Sequence, residues 1–172
     1  MTAGGAAPGP GEGMVAELKW VHDMIRRDLR TVRRLADEVE AGLPGPQASA
    51  VVQALEVGSP LWQLKINCLQ YCRIVHMHHH GESMMIFPRL RASDPALGPV
   101  VDKLEADHAR VSDLLDDVSA VAMKLAEREN ADSRKRLAEA LAILSDVLLE
   151  HLQYEEDNIS ATLRTWTNWG GW

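Results

Sequence analysis

Four histidines, His22, His78, His108 and His151, fall on the apolar stripes of four different predicted helices, and two are followed four residues later by a glutamate: His78…Glu82 and His151…Glu155. Residues i and i+4 share one helix face, so each His-x-x-x-Glu pair offers an imidazole and a carboxylate to one point in the interior. A buried, unpaired carboxylate costs on the order of several kcal/mol, and a cation is the natural compensation. Imidazole with carboxylate suits iron, manganese or zinc, and no thiolate is placed to favour a zinc–sulfur cluster. Two glutamates projecting from opposite helices can each bridge a metal pair while imidazoles cap the outer positions, so two cations suit this donor set better than one.

The elements that must position these residues are helices. Hydrophobic residues make up 46% of the 172-residue chain and aromatics only 5%, Val and Thr form no alternating runs, and Ala, Leu, Glu, Arg and Asp dominate, which predicts an all-α fold with one core. In the first helix, about 14 to 41, Val15, Leu18, His22, Ile25, Leu29, Val32, Ala36 and Val39 recur at steps of three and four. Gly42, Pro44, Gly45 and Pro46 stop it. A connector with a short helix over 47–57 leads to Ser59-Pro60, an N-cap followed by proline. The second helix runs to about Pro88 on the stripe Leu61, Leu64, Cys68, Tyr71, Val75, His78, Glu82 and Met85. Asp94-Pro95 opens the third, irregular at Gly98-Pro99 and then carrying Val101, Leu104, His108, Val111, Leu115, Val118 and Ala122. After a polar break at 128–133, the fourth carries Leu137, Leu141, Leu144, Leu148, His151, Glu155 and Ile159. In an up-down-up-down four-helix bundle, all six candidate side chains lie toward one end, at depths of about 9 to 21 Å at roughly 1.5 Å per residue. The expected organisation is a disordered leader over 1–13, the bundle over 14–165 and a Trp-rich tail over 166–172. That tail either folds back on the bundle or packs at an interface such as that of a homodimer.

A net charge of −7 without a clustered basic face excludes nucleic acid or an anionic membrane as partner. The arginines at 26, 27, 30, 33 and 34 are balanced by Asp23, Asp28, Asp37 and Glu38 and read as a solvated helix face. No run approaches the roughly 18 apolar residues of a membrane span, and residues 1–13 have neither the basic start nor the apolar stretch of a signal peptide, so a cytoplasmic protein is expected. Cys68 and Cys72, one helical turn apart, read as small core residues. No nucleophile elbow, phosphate loop or dinucleotide fingerprint supports a hydrolase or a nucleotide-dependent enzyme.

His22, the stretch HMHHHGESMMIFPRL at 76–90, EADH at 105–108 and EHLQYEEDNI at 150–159 together resemble the hemerythrin-like (HHE cation-binding) proteins over about residues 15 to 165. The resemblance implies two iron ions joined by an oxo or hydroxo bridge, with His22, His78, His108 and His151 as terminal ligands and Glu82 and Glu155 bridging. Its small-molecule partner would be O2, H2O2 or NO. The chain departs from the oxygen-carrying members, which place two histidines four apart on the third helix, because Leu104 and Ser112 flank His108 at that spacing. His79, Glu105 and Tyr71 are the candidates to fill the gap or to stand behind the ligands, and water is the alternative, leaving an open coordination position that favours chemistry over storage. The implied function is a non-haem di-iron protein of oxidative or nitrosative stress defence with catalase-like peroxide consumption. The competing readings are an iron, oxygen or redox sensor, an O2-binding protein without turnover, and storage or a structural zinc site. His76 and His80 lie about 160° from His78 on a helical wheel and are expected at the surface.

Overall fold

The computed structural model describes residues 9–41, 60–127 and 130–168. The expected leader up to residue 8, the short helix of the 47–57 connector and the last two tryptophans lie outside those residues. The described chain is helical, without strands: α1 (Pro10–Glu40), α2 (Pro60–Gly81), a π-helical turn (Glu82–Ile86), α3 (Phe87–Ser93), a 3-10 turn (Pro95–Leu97), α4 (Gly98–Glu127) and α5 (Ala131–Leu163). None of its helices is long and apolar enough to cross a membrane.

α1 and α5 run antiparallel, as do α2 and α4, as their contacts show. Along α1 and α5, Glu12 meets Arg164, His22 meets Glu155 and Arg33 meets Ser145. Between α2 and α4, His76 meets Ser112, and Ser83, in the turn that continues α2, meets His108. Every described stripe residue of the first, third and fourth predicted helices is buried.

α1 starts at Pro10, four residues before the boundary expected from periodicity. Proline is tolerated at the first helical position, and the two glycines that follow are weak helix formers, so packing holds this turn: a Cβ on Gly11 would lie 2.2 Å from the Arg164 carbonyl oxygen. At the other break, the irregularity expected at Gly98-Pro99 is a change of helix type. Asp94 accepts a hydrogen bond from the Ala96 N–H and caps the 3-10 turn before α4 begins. Asn130 and Ser133 form a reciprocal capping box at the start of α5.

The second predicted helix differs most from expectation. Its buried positions run Cys68, Tyr71, Cys72, Val75, His79, Glu82 and then Phe87 and Leu90, while Met85, expected in the stripe, is 49% exposed. The step of five from Glu82 to Phe87 matches the hydrogen bond that the Phe87 N–H donates to the Glu82 carbonyl, an i→i+5 bond of a π turn. One extra residue in this turn rotates Met85 outward and brings Phe87 in. The helix also continues past Pro88 to Ser93, since the widened turn takes up the missing N–H and the bulk of the proline ring.

The core is two apolar clusters. One includes Ile25, Leu29, Val75, Val111, Leu115, Leu144, Leu148 and Leu152; the other is built from Met14, Val15, Leu18, Phe87, Leu90, Val101, Leu104, Ile159, Leu163 and Trp166. On each helix the candidate ligands fall between the two: His22 between Leu18 and Ile25, Glu82 between Val75 and Phe87, His108 between Leu104 and Val111, Glu155 between Leu152 and Ile159. Just after α5, Trp166 packs in the second cluster. Trp166 is buried, donates from Nε1 to Ser93 Oγ at 3.2 Å and lies beneath the Arg89 guanidinium at 4.1 Å.

The close approach at Gly11 separates two substitutions of similar appearance. Gly11→Ala must push the first turn of α1 off the Arg164 backbone and is expected to cost about 1–3 kcal/mol. Gly13→Ala, with nothing within 4 Å of its added Cβ, is expected to stabilise by about 0.5–1 kcal/mol through helix propensity. Thermal melts of the two variants check the opposite signs.

Candidate metal centre

Each of the four long helical segments brings at least one side chain to the polar layer. α1 supplies His22, α2 supplies His78 and His79, the π turn opens on Glu82, α4 supplies His108, and α5 supplies His151 and Glu155. These form two groups of donors, each with its ligand atoms within 4.8 Å of one another: His79, Glu82, His108 and His151, and His22, His78, Glu82 and Glu155. Glu82 belongs to both. Its Oε1 lies 3.1 Å from His78 Nε2 and 3.8 Å from His22 Nε2, while its Oε2 lies 3.4 Å from His108 Nε2. Glu155 Oε2 is 3.4 Å from His22 Nε2 and 3.9 Å from His151 Nε2.

The inward atoms find no hydrogen-bond partner of good geometry. Both carboxylate oxygens of Glu82 and of Glu155, both ring nitrogens of His79, and Nε2 of His22, His78, His108 and His151 are buried and unsatisfied, as is the outward Nδ1 of His151. A native core seldom leaves even one such group. The outward nitrogens of His22 and His108 are hydrogen-bonded, and that of His151 faces a more distant carboxylate. His22 Nδ1 meets Glu156 Oε1 at 2.8 Å, and Arg26 holds that carboxylate at 2.8 Å. His108 Nδ1 pairs with Ser83 Oγ at 3.0 Å. His151 Nδ1 faces the Asp107 carboxylate at 3.7 Å, which takes the Lys103 ammonium at 2.5 Å. Partners on the far nitrogen fix the ring and turn its other lone pair inward, as behind metal-bound imidazoles.

The electrostatics point the same way. Burial and then the charge on His22 push His78 down to about 3, and burial and then His151 push His108 down to about 3. His79 and His151 are lowered too, burial being the main cause. At His22 burial also opposes the charge, but the Glu155 and Glu82 carboxylates outweigh it and raise the group to about 10. Burial, then Glu155, lifts Glu82 above the ordinary carboxylate range. Four imidazoles are therefore held neutral, with free lone pairs, beside the Glu82 and Glu155 side chains and the imidazolium of His22. That set fits a divalent cation pair, since imidazole nitrogen and carboxylate oxygen are the donors iron, manganese and zinc accept.

All six residues singled out in the sequence meet in this layer. Of the three candidates for the missing imidazole, only His79 joins them: it stacks on His108 at 4.0 Å and meets His151 edge-on at 4.9 Å. Glu105 stands apart from both donor groups, 46% exposed and paired with Arg91 at 3.1 Å. Tyr71 is buried among Cys68, Cys72 and Val75, its hydroxyl without a partner, and belongs to neither donor group. Sequence reasoning missed Asp107, Glu156 and Ser83. Glu156 carried a signal, standing one residue from a candidate ligand on the edge of the same helix face; Asp107 and Ser83 act across helices, which spacing along one helix does not encode.

The domain family described as Hemerythrin HHE cation binding domain matches residues 13–163. No curated protein and no solved structure matches the chain at a significant level.

Buried carboxylates without compensation should make the metal-free bundle less stable than an apolar version of itself. Glu82→Met is expected to stabilise the chelator-treated protein by about 1–4 kcal/mol and to abolish the rise in melting temperature on adding metal. Calorimetry with and without chelator checks both signs.

Proposed function

The chain belongs to the hemerythrin family of HHE cation-binding domains, and on that footing we propose that it holds two iron ions and consumes hydrogen peroxide, with dioxygen and nitric oxide as related small ligands, in oxidative or nitrosative stress defence. One ion would sit among His79, His108, His151 and Glu82, the other among His22, His78, Glu155 and Glu82. The observation that carries this reading is Glu82, which turns one carboxylate oxygen toward each donor group. On this reading His79, in one donor group with His108 and His151, takes the part of the second histidine that the third helix lacks.

When bound, an iron pair supplies Lewis acidity and one-electron redox capacity to a small oxidant. The chain's own residues do the rest. Glu156 and Ser83 hold the rings of His22 and His108 in orientation, so little reorganisation of these ligands accompanies metal binding. The two apolar clusters exclude bulk water above and below the layer, which limits side reactions. Each donor group offers four residues, fewer than the six positions of an octahedral ion, and leaves room for a small molecule.

The competing reading, a sensor whose iron or redox state is read by a partner, draws on Trp166, packed in the apolar cluster that adjoins the layer and reachable through Arg89. Turnover separates the two. Protein loaded with ferrous iron is expected to contain two irons per chain, to lose both in Glu82→Ala and to keep one in His79→Ala. Peroxide consumption, followed by oxygen evolution, should fall at least about a hundredfold in Glu82→Ala. Iron binding without peroxide consumption in the unmodified protein would favour the sensor.

A further inference from the structure

Five of the chain's seven histidines supply the polar layer, and the other two, His76 and His80, share one place. Both line a cleft of about 270 Å³ between the end of α2 and α4, with Ser83 and Ser112 on its walls and His79 and His108 at its floor. The floor residues are 5% and 7% exposed, and both nitrogens of His79 are unpartnered. A second cavity, of about 140 Å³ beside Asp28 and Tyr71, touches none of the donor residues.

A cation destined for the layer has to pass a wall of packed side chains, since every inward donor atom is out of solvent. The cleft reaches that wall on the His79 side. His76 and His80 stand at i and i+4 and present two imidazoles on one helix face, the spacing by which a helix chelates a single divalent ion. Asp116, from α4, lies 3.4 Å from His76 Nε2, and Ser112 Oγ lies 3.4 Å from His76 Nδ1. An ion taking Nε2 and the Asp116 carboxylate would leave the Ser112 contact in place, and the exposed side chain of His80, one turn on and not yet within ligand distance of these donors, would swing in as the third.

We propose that His76, His80 and Asp116 form a surface capture site for a first-row divalent cation, from which the ion passes along the cleft to His79 and His108. The inference rests on the metal-centre reading above. A solvent-exposed site of two imidazoles and one carboxylate binds more weakly than the enclosed groups and so can release its ion inward, while raising the local cation concentration at the mouth.

The test is the rate of cobaltous ion uptake by the metal-depleted full chain, followed by its visible absorption. The double variant His76→Ala, His80→Ala, whose side chains lie at the surface, is expected to fill to the same final cobalt content but roughly tenfold more slowly at limiting cobalt. As a second readout, the fully loaded protein should bind one further cupric ion with nitrogen hyperfine structure in its electron paramagnetic resonance spectrum, and the double variant should not. Equal uptake rates, or a cupric signal that survives in the variant, overturn the capture site while leaving the buried centre intact. A wild-type protein that takes up no buried cobalt overturns the metal-centre reading and the capture site with it.

Discussion

Glu82 and Glu155 lie out of reach of water between two apolar clusters, and the rest of the bundle is arranged around that placement. A carboxylate in such surroundings either takes up a proton or gains a positive partner, and both responses are visible. Burial and Glu155 raise Glu82, and the two carboxylates together hold His22 charged. One imidazolium for two buried carboxyl groups is incomplete compensation. Four neutral imidazoles aimed at the same space add no charge but many lone pairs, so the layer is made for cations.

The price of this arrangement is spread through the fold. The layer interrupts what would otherwise be a single core, and each apolar cluster closes over one side of it. Outer partners such as Glu156 and Ser83 commit the far nitrogens of their rings and leave the near ones unsatisfied. The π turn is part of the same construction: it begins at the shared carboxylate, and its extra residue lets Glu82 and Phe87 both face inward, with Phe87 stacked on His108 at 5.0 Å. Local irregularity of this kind is common next to functional groups, and here it permits the polar layer and the second apolar cluster to follow each other without a gap.

The helices and the layer were largely legible in the sequence, because burial at 3.6-residue periodicity is a strong signal and charged or imidazole side chains on an apolar stripe stand out against it. Thus Leu18, His22 and Ile25, or Leu148, His151 and Glu155, could be placed from spacing alone. Met85 could not, since a π turn shifts register by one residue and leaves the composition of the stripe unchanged. His79 was ambiguous for a related reason: it neighbours a stripe position, and whether it or His78 faces inward depends on the exact roll of α2. The structure turns both toward the layer, His78 to one donor group and His79 to the other. Glu105 shows the converse, a carboxylate beside a ligand in sequence but drawn outward by Arg91.

The central claim is that one carboxylate joins two cation positions across the bundle. Anomalous scattering from crystals of the iron-loaded protein, collected on both sides of the iron absorption edge, tests it most directly. Two iron peaks flanking Glu82 are expected, one among His79, His108 and His151 and the other among His22, His78 and Glu155. A single peak, or iron bound anywhere other than between the two apolar clusters, would contradict it.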